Sequence, residues 1–170
     1  MFKNPSPPVT LSMMLEHREH RVFEQDKMRN TYHTPLISFT MNIPGPIKSA
    51  PIIRRAFDEG KRILFQDLEN NNLKILGCNE SHECTGDELL IAINANPELL
   101  KDITSSIEEH HPYGRIFDID VLDKNGNKLS RKQYRSCLIC DKQAQDCARN
   151  RTHTVDELTR VINDLLSTEI

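Results

Sequence analysis

From Leu36 to Asn42 the chain alternates. Ile37, Phe39 and Met41 share one side, and Ser38, Thr40 and Asn42 share the other, the period-two pattern of a half-buried strand. Ile43-Pro44-Gly45-Pro46 ends it, because neither proline can donate to a ladder. Ser49 is placed to cap the next helix, with Pro51 in its first turn. Ile52, Ile53, Ala56, Phe57, Ile63, Leu64 and Leu68 trace that helix's buried stripe, and Gly60 within it suits close packing on a sheet. Leu73 to Cys78 and Leu89 to Asn94 read as further strands, with a bend at Thr85-Gly86-Asp87. Asn96 caps a helix opened by Pro97 and closed at His110-His111-Pro112, since the residue before proline resists helical angles.

The pattern from Gly114 to Asp123 is again a strand. Phe117, Ile119 and Val121 point one way, and Asp118 and Asp120 point the other, side by side. Asp123-Lys124-Asn125-Gly126 signals a hairpin, with 128–131 as the return strand. Strand, helix, strand, strand, helix, strand is the ferredoxin-like order, so the chain is expected to be α+β with a βαββαβ core. In that fold Asp118 and Asp120 fall on the face the two helices leave open, together with Asn42 or its neighbours.

Two helices flank this core. From Thr10 to about Asn30, Leu11, Leu15, Arg18 and Val22 form a thin stripe, and the other faces carry His17, His20, Arg21, Glu24 and Lys27. This helix is expected to pack weakly. At the other end Thr154-Val155-Asp156-Glu157 is a capping box, followed by a stripe of Val155, Leu158, Val161, Ile162, Leu165 and Leu166. The whole reads as one domain over 1–170, with an extended, proline-stiffened lead-in at 1–9 and a Cys/Arg/His segment plus capping helix at 134–170. No internal repeat or low-complexity stretch is visible.

Composition narrows the function classes. At 37% hydrophobic and 28% charged residues the chain suits a soluble domain, and no apolar run approaches membrane-spanning length. The first ten residues lack a secretory apolar stretch, which predicts a cytoplasmic protein without membrane partners. A net charge of −3 argues against nucleic acid held by a global field. Basic residues nevertheless crowd one region: Lys128, Arg131, Lys132, Arg135, Lys142, Arg149 and Arg151. This is either a solvated face or an anion-binding surface.

Two constellations carry chemistry. Neighbouring carboxylates on a rigid strand repel one another, and a hard cation relieves that repulsion. Asp118 and Asp120 are therefore a candidate Mg²⁺ (or Mn²⁺) site for chemistry on phosphate. The cysteines number five, and Cys137, Cys140 and Cys147 cluster ahead of His153. Two residues separate the first pair, then gaps of six and five follow. Three thiolates and an imidazole match the donors of a structural Zn²⁺. Alternatively, Arg149, Arg151 and His153, at the start of a capped helix, would bind anions. Cys78 and Cys84 read as ordinary thiols.

Four segments together resemble one family. They are Ile37-Ser-Phe-Thr-Met-Asn-Ile-Pro-Gly-Pro-Ile-Lys48, His111-Pro-Tyr-Gly-Arg-Ile-Phe-Asp-Ile-Asp-Val-Leu122, Arg135-Ser-Cys-Leu-Ile-Cys140, and Cys147-Ala-Arg149 followed by His153. His17-Arg-Glu-His-Arg21 is similar to that family's Arg-rich first helix. The family is the apo-citrate lyase phosphoribosyl-dephospho-CoA transferases, or citrate lyase holo-acyl-carrier-protein synthases. The resemblance implies a nucleotidyltransferase-like enzyme. A serine of the apo acyl carrier subunit of citrate lyase would attack a phosphate of 2′-(5″-triphosphoribosyl)-3′-dephospho-CoA, and pyrophosphate would leave. On that reading Asp118 and Asp120 are catalytic and hold the metal, while Asn42, Lys48, Arg115 and Arg149 bind the donor. The general base is left open among Asp120, His111 and His153. Two alternatives stand beside it: a non-catalytic, zinc-stabilised adaptor, and the same transfer to a different carrier protein such as that of malonate decarboxylase. The basic C-terminal region is then a docking surface for an acidic carrier, with Arg131 and Arg135 at its centre.

Overall fold

The computed structural model describes residues 2–168. Met1, Glu169 and Ile170, the ends of the expected 1–170 domain, lie outside the described residues. Four strands form one antiparallel sheet: β1 (Leu36–Met41), β2 (Ile75–Glu83), β3 (Gly86–Ile93) and β4 (Phe117–Leu122). Their spatial order is β2-β3-β1-β4, the ferredoxin-like arrangement expected from element order. Helices α2 (Pro51–Asn70) and α3 (Pro97–His110) cross between strands. Helix α1 (Leu11–Tyr32) precedes the core, and α4 (Ala144–Arg149) and α5 (Val155–Ser167) follow it.

The main core lies between one sheet face and α2, α3 and α5. Phe39, Phe57 and Phe117 are fully buried there. Phe39 stacks on Phe57 at 4.8 Å between centroids and meets Phe117 edge-on at 5.3 Å. Gly60 makes this possible, because a Cβ at that position would lie 2.6 Å from Phe39 Cζ and 2.8 Å from Phe117 Cζ. Ile162 and Leu166 bring α5 onto the same core. Caps end the helices as their sequences suggest. Asn96 Oδ1 accepts from Leu99 N at 3.0 Å, and Thr154 and Glu157 exchange both bonds of a capping box.

Several expectations need correction. Ser49 is buried and does not cap α2; the N-cap is Ala50, which makes no side-chain cap bond. The return strand at 128–131 is reduced to a bridge between Leu122 and Lys128. Residues Gly114–Ile116 form a 3-10 turn, so β4 begins only at Phe117. β2 continues to Glu83, past the last apolar residue that marked it, because β3 pairs with its polar half. Residues 2–9 of the lead-in have no helix or strand but are pinned: Ser6 N donates to Ser49 O and Val9 N to Pro46 O, both at 2.9 Å.

Helix α1 lies differently from its expected packing. The expected inner stripe of Leu11, Leu15, Arg18 and Val22 is exposed, its three apolar members at 75, 48 and 55%. The helix instead lays His17, Arg21, Gln25, Met28 and Tyr32 across the second sheet face. Met28 and Tyr32 pack on Leu36, Leu90 and Ala92, and the Tyr32 ring occupies the space a Cβ on Gly77 would need, within 2.4 Å. The face expected to stay open is thus partly roofed. Among the described residues, no helix is long and apolar enough to cross a membrane.

Candidate active site

Under α1 the second sheet face turns polar. Register sets Asp118 of β4 opposite Thr40 of β1, and Thr40 opposite Glu88 of β3. One step along, Asp120 stands opposite Ser38. Helix α1 answers with polar groups: Gln25 Nε2 donates to Ser38 Oγ at 3.1 Å, and the Arg21 guanidinium donates to Glu88. Beside them Arg54 Nε donates to Asp87 at 2.8 Å.

Asp118 and Asp120 share this face side by side, as the alternation requires. Burial pushes the Asp118 carboxyl above its usual range, and the Asp120 charge adds to the effect; Lys128, Arg135 and Arg21 oppose it. Asp120 has a direct partner, with Lys128 Nζ 2.6 Å from its carboxylate. Their hard oxygens, with the Thr40 and Ser38 hydroxyls opposite, are the donor chemistry that suits Mg²⁺ or Mn²⁺ rather than a soft ion.

Three pockets adjoin. The first, about 150 Å³, is lined by His17, Arg18, Arg21, Thr40, Asn42, Lys48 and Asp118. The second, about 430 Å³, has both aspartates with Lys101, Glu108, Lys128, Arg131 and Arg135. The third, about 750 Å³, pairs Arg115, Arg135 and Arg151 with an apolar wall of Ile116, Leu138, Val155, Leu158 and Ile162. Asn42 borders the first and the third. Burial lowers the Lys48 ammonium's pKa, helped by Arg18, and Lys48 Nζ donates to Ile43 O at 2.5 Å. The loop after β1 is thereby tied back toward the site.

The structure thus brings Asn42 and Lys48 to Asp118, and Arg115 to Asn42. It does not bring Arg149, which is exposed at the end of α4 and lines none of the three pockets. Of the residues considered for a general base, His111 lies on the helix-covered side. Its Nδ1 accepts from Tyr113 N at 3.0 Å and its ring packs on Phe117. Arg131 and Arg135 are not free for docking. They are 17 and 18% exposed and face Glu108 at 3.3 and 3.6 Å. Sequence reasoning missed Arg18, Arg21 and His17 as pocket residues. A signal existed: His17, Arg21, Gln25, Met28 and Tyr32 recur at three-to-four spacing, but mostly polar residues at that spacing read as a solvent face.

The cysteine segment closes on itself. The ligand atoms of Cys137, Cys140, Cys147 and His153 all lie within 4.8 Å of one another. Cys140 Sγ is 3.5 Å from Cys147 Sγ and 3.3 Å from His153 Nε2. Burial would raise the Cys137 thiol, but the N–H groups of Ile139 and Cys140, with the neighbouring thiols, draw it down to about 6. Cys147 is pushed up to about 11 by burial and by the other two cysteines. All five cysteines are free thiols. Such a group could hold a structural metal ion.

Comparison with known proteins assigns this chain to a class. A family model described as "Apo-citrate lyase phosphoribosyl-dephospho-CoA transferase" matches residues 9–169. A Vibrio cholerae serotype O1 protein named probable apo-citrate lyase phosphoribosyl-dephospho-CoA transferase is 33% identical over 170 residues, covering 97% of this chain and 96% of its own. Proteins of the same name, without "probable", from Citrobacter koseri and Escherichia coli O139:H28 are each 35% identical. They cover 88 and 94% of this chain and 84 and 89% of their own. This chain is a transferase enzyme. It belongs to the apo-citrate lyase phosphoribosyl-dephospho-CoA transferase family.

Proposed function

We propose that this enzyme transfers the prosthetic group of 2′-(5″-triphosphoribosyl)-3′-dephospho-CoA to a serine of the apo acyl carrier subunit of citrate lyase, with release of pyrophosphate. The observation that carries the reading is the Asp118 carboxylate in one pocket with Arg18, Arg21 and Lys48. Cations there would grip the donor's phosphates and stabilise charge growing on the leaving oxygens. Asn42 and Lys48 would align the triphosphate. Arg115, in the larger and more apolar pocket, would contact the remainder of the donor. Arg149 has no donor contact in this scheme, and Arg18 and Arg21 take its place.

Asp118 and Asp120 would hold Mg²⁺, which would supply positive charge to offset that of the donor's phosphates. The support for this is geometric: both carboxylates stand on one face of β4 and line the same pocket. We take Cys137, Cys140, Cys147 and His153 as a structural Zn²⁺ site, on the strength of their mutual distances. Their reduced thiols accord with a cytoplasmic enzyme. Membership of a transferase family removes the non-catalytic adaptor, and the family's name favours citrate lyase over other carriers.

The test is to incubate the protein with apo carrier subunit, donor and Mg²⁺. The carrier should gain the mass of the prosthetic group, with one pyrophosphate released per carrier modified. A carrier of unchanged mass with competent substrates would overturn the reading.

A further inference from the structure

The His17 side chain is 9% exposed, and its Nδ1 is enclosed without a hydrogen-bond partner. Glu88 Oε1 lies 3.6 Å from that nitrogen. Glu88 is itself buried and is gripped by Arg21, one helical turn further along α1. The same His17 lines the pocket that holds Arg18, Lys48 and Asp118. With Nδ1 enclosed beside a carboxylate, Nε2 is the nitrogen left to meet the pocket. A carboxylate behind Nδ1 favours the tautomer with its proton on Nδ1, which leaves Nε2 with a free lone pair.

We propose that His17 Nε2 is the general base of the transfer, with Glu88 as the residue that positions it; this rests on the transferase reading above. As the acceptor hydroxyl attacks, its oxygen forms a bond to phosphorus. The bond from phosphorus to pyrophosphate breaks, and its electron pair stays on the leaving oxygen. The hydroxyl proton passes to Nε2 and from there to water. The Nδ1–Glu88 separation is long for a hydrogen bond, and catalytic pairs of this kind commonly shorten once substrate binds. Burial holds the His17 pKa below its ordinary value, and Arg21 and His20 press it the same way, while Glu88 and Glu83 raise it. Lys48 and Asp118 face it across the pocket. At neutral pH the ring is therefore uncharged, the form a base requires.

The experiment compares wild type, His17→Gln and Glu88→Gln in carrier modification from acid to neutral pH, with donor affinity measured separately. Wild-type kcat should fall as pH drops through the lowered His17 pKa. His17→Gln should lose about 10²- to 10⁴-fold in kcat, keep donor affinity within about threefold, and lose that acid limb. Glu88→Gln removes a charge that raises His17, so its acid limb should move to lower pH. Should His17→Gln fail to fold, the Glu88→Gln shift decides: a displaced limb supports the base and an unmoved limb contradicts it. His17→Gln active at the wild-type rate with the limb intact overturns His17 as base and leaves the transferase reading standing. A wild-type protein that never modifies the carrier overturns both.

Discussion

The Glu108 carboxylate accepts a hydrogen bond from the backbone N–H of Ile119 at 2.9 Å. β4 is an edge strand, and several of its outward backbone groups are satisfied by side chains and one loop. Lys101 Nζ donates to Ile119 O at 3.3 Å, Arg135 to Phe117 O at 2.9 Å, and Leu129 N to Val121 O at 2.8 Å. An edge covered in this way offers no template for another strand. It also holds rigid the strand that carries Asp118 and Asp120. Glu108→Ala would strand a buried N–H and take a buried carboxylate from Arg131 and Arg135, at a cost of about 3 kcal/mol or more. Glu108→Gln keeps an acceptor oxygen and should cost less. Urea unfolding of the two variants measures the difference, and equal stabilities would contradict this role.

Removal of the proposed zinc should be felt beyond the cysteines. The segment they close also carries Arg135, which reaches the β4 edge, and Ser136, whose carbonyl accepts from Arg115. Purified protein is expected to contain one Zn²⁺ per chain, and Cys140→Ser to contain far less. Chelation should lower stability, because binding free energy at a structural zinc site is folding free energy. Elemental analysis and thermal melts with and without chelator check both statements.

Arg18 is exposed on α1 and lines the Asp118 pocket without a part in the core. Arg18→Ala is expected to leave the melting temperature unchanged within about 1 °C and to weaken donor binding roughly tenfold, the worth of one charge-assisted phosphate contact. Titration calorimetry at two salt concentrations tests this, and the deficit should shrink at high salt.

Asp118 predicts a trade of stability against activity. Its folded carboxyl titrates above the unfolded value, so its contribution to stability is greatest below the ordinary carboxylate pKa and is lost as pH rises through the raised one. At neutral pH its ionisation opposes folding. Asp118→Asn should therefore melt higher than wild type at pH 7, with the gap closing in acid. Melts across pH 4 to 7 read this directly.

Much of this arrangement is legible in the chain. The alternation of Phe117, Ile119 and Val121 against Asp118 and Asp120 assigns faces without a structure, because a one-residue slip would bury both acids. Breakers such as Pro44-Gly45-Pro46 and Pro112 mark element ends, and the Cys137–His153 spacing announces a cluster. Other features arise only from tertiary contact. Helix α1 turns its polar side inward because the sheet face beneath is itself polar, so apolar periodicity points the wrong way. The covering of the β4 edge joins Glu108, Lys101 and Arg135, which are not adjacent in the chain. The proposed base falls in the same blind spot: His17 on α1 and Glu88 on β3 meet where the helix packs on the sheet, 71 positions apart in the sequence.

Cleavage of the polyphosphate beside Asp118 and Asp120 is decided by the rate at which Asp118→Asn modifies the carrier in Mg²⁺. With the fold verified by its melt, kcat should fall at least about 10²-fold. A variant that modifies the carrier within about twofold of the wild-type rate would contradict it.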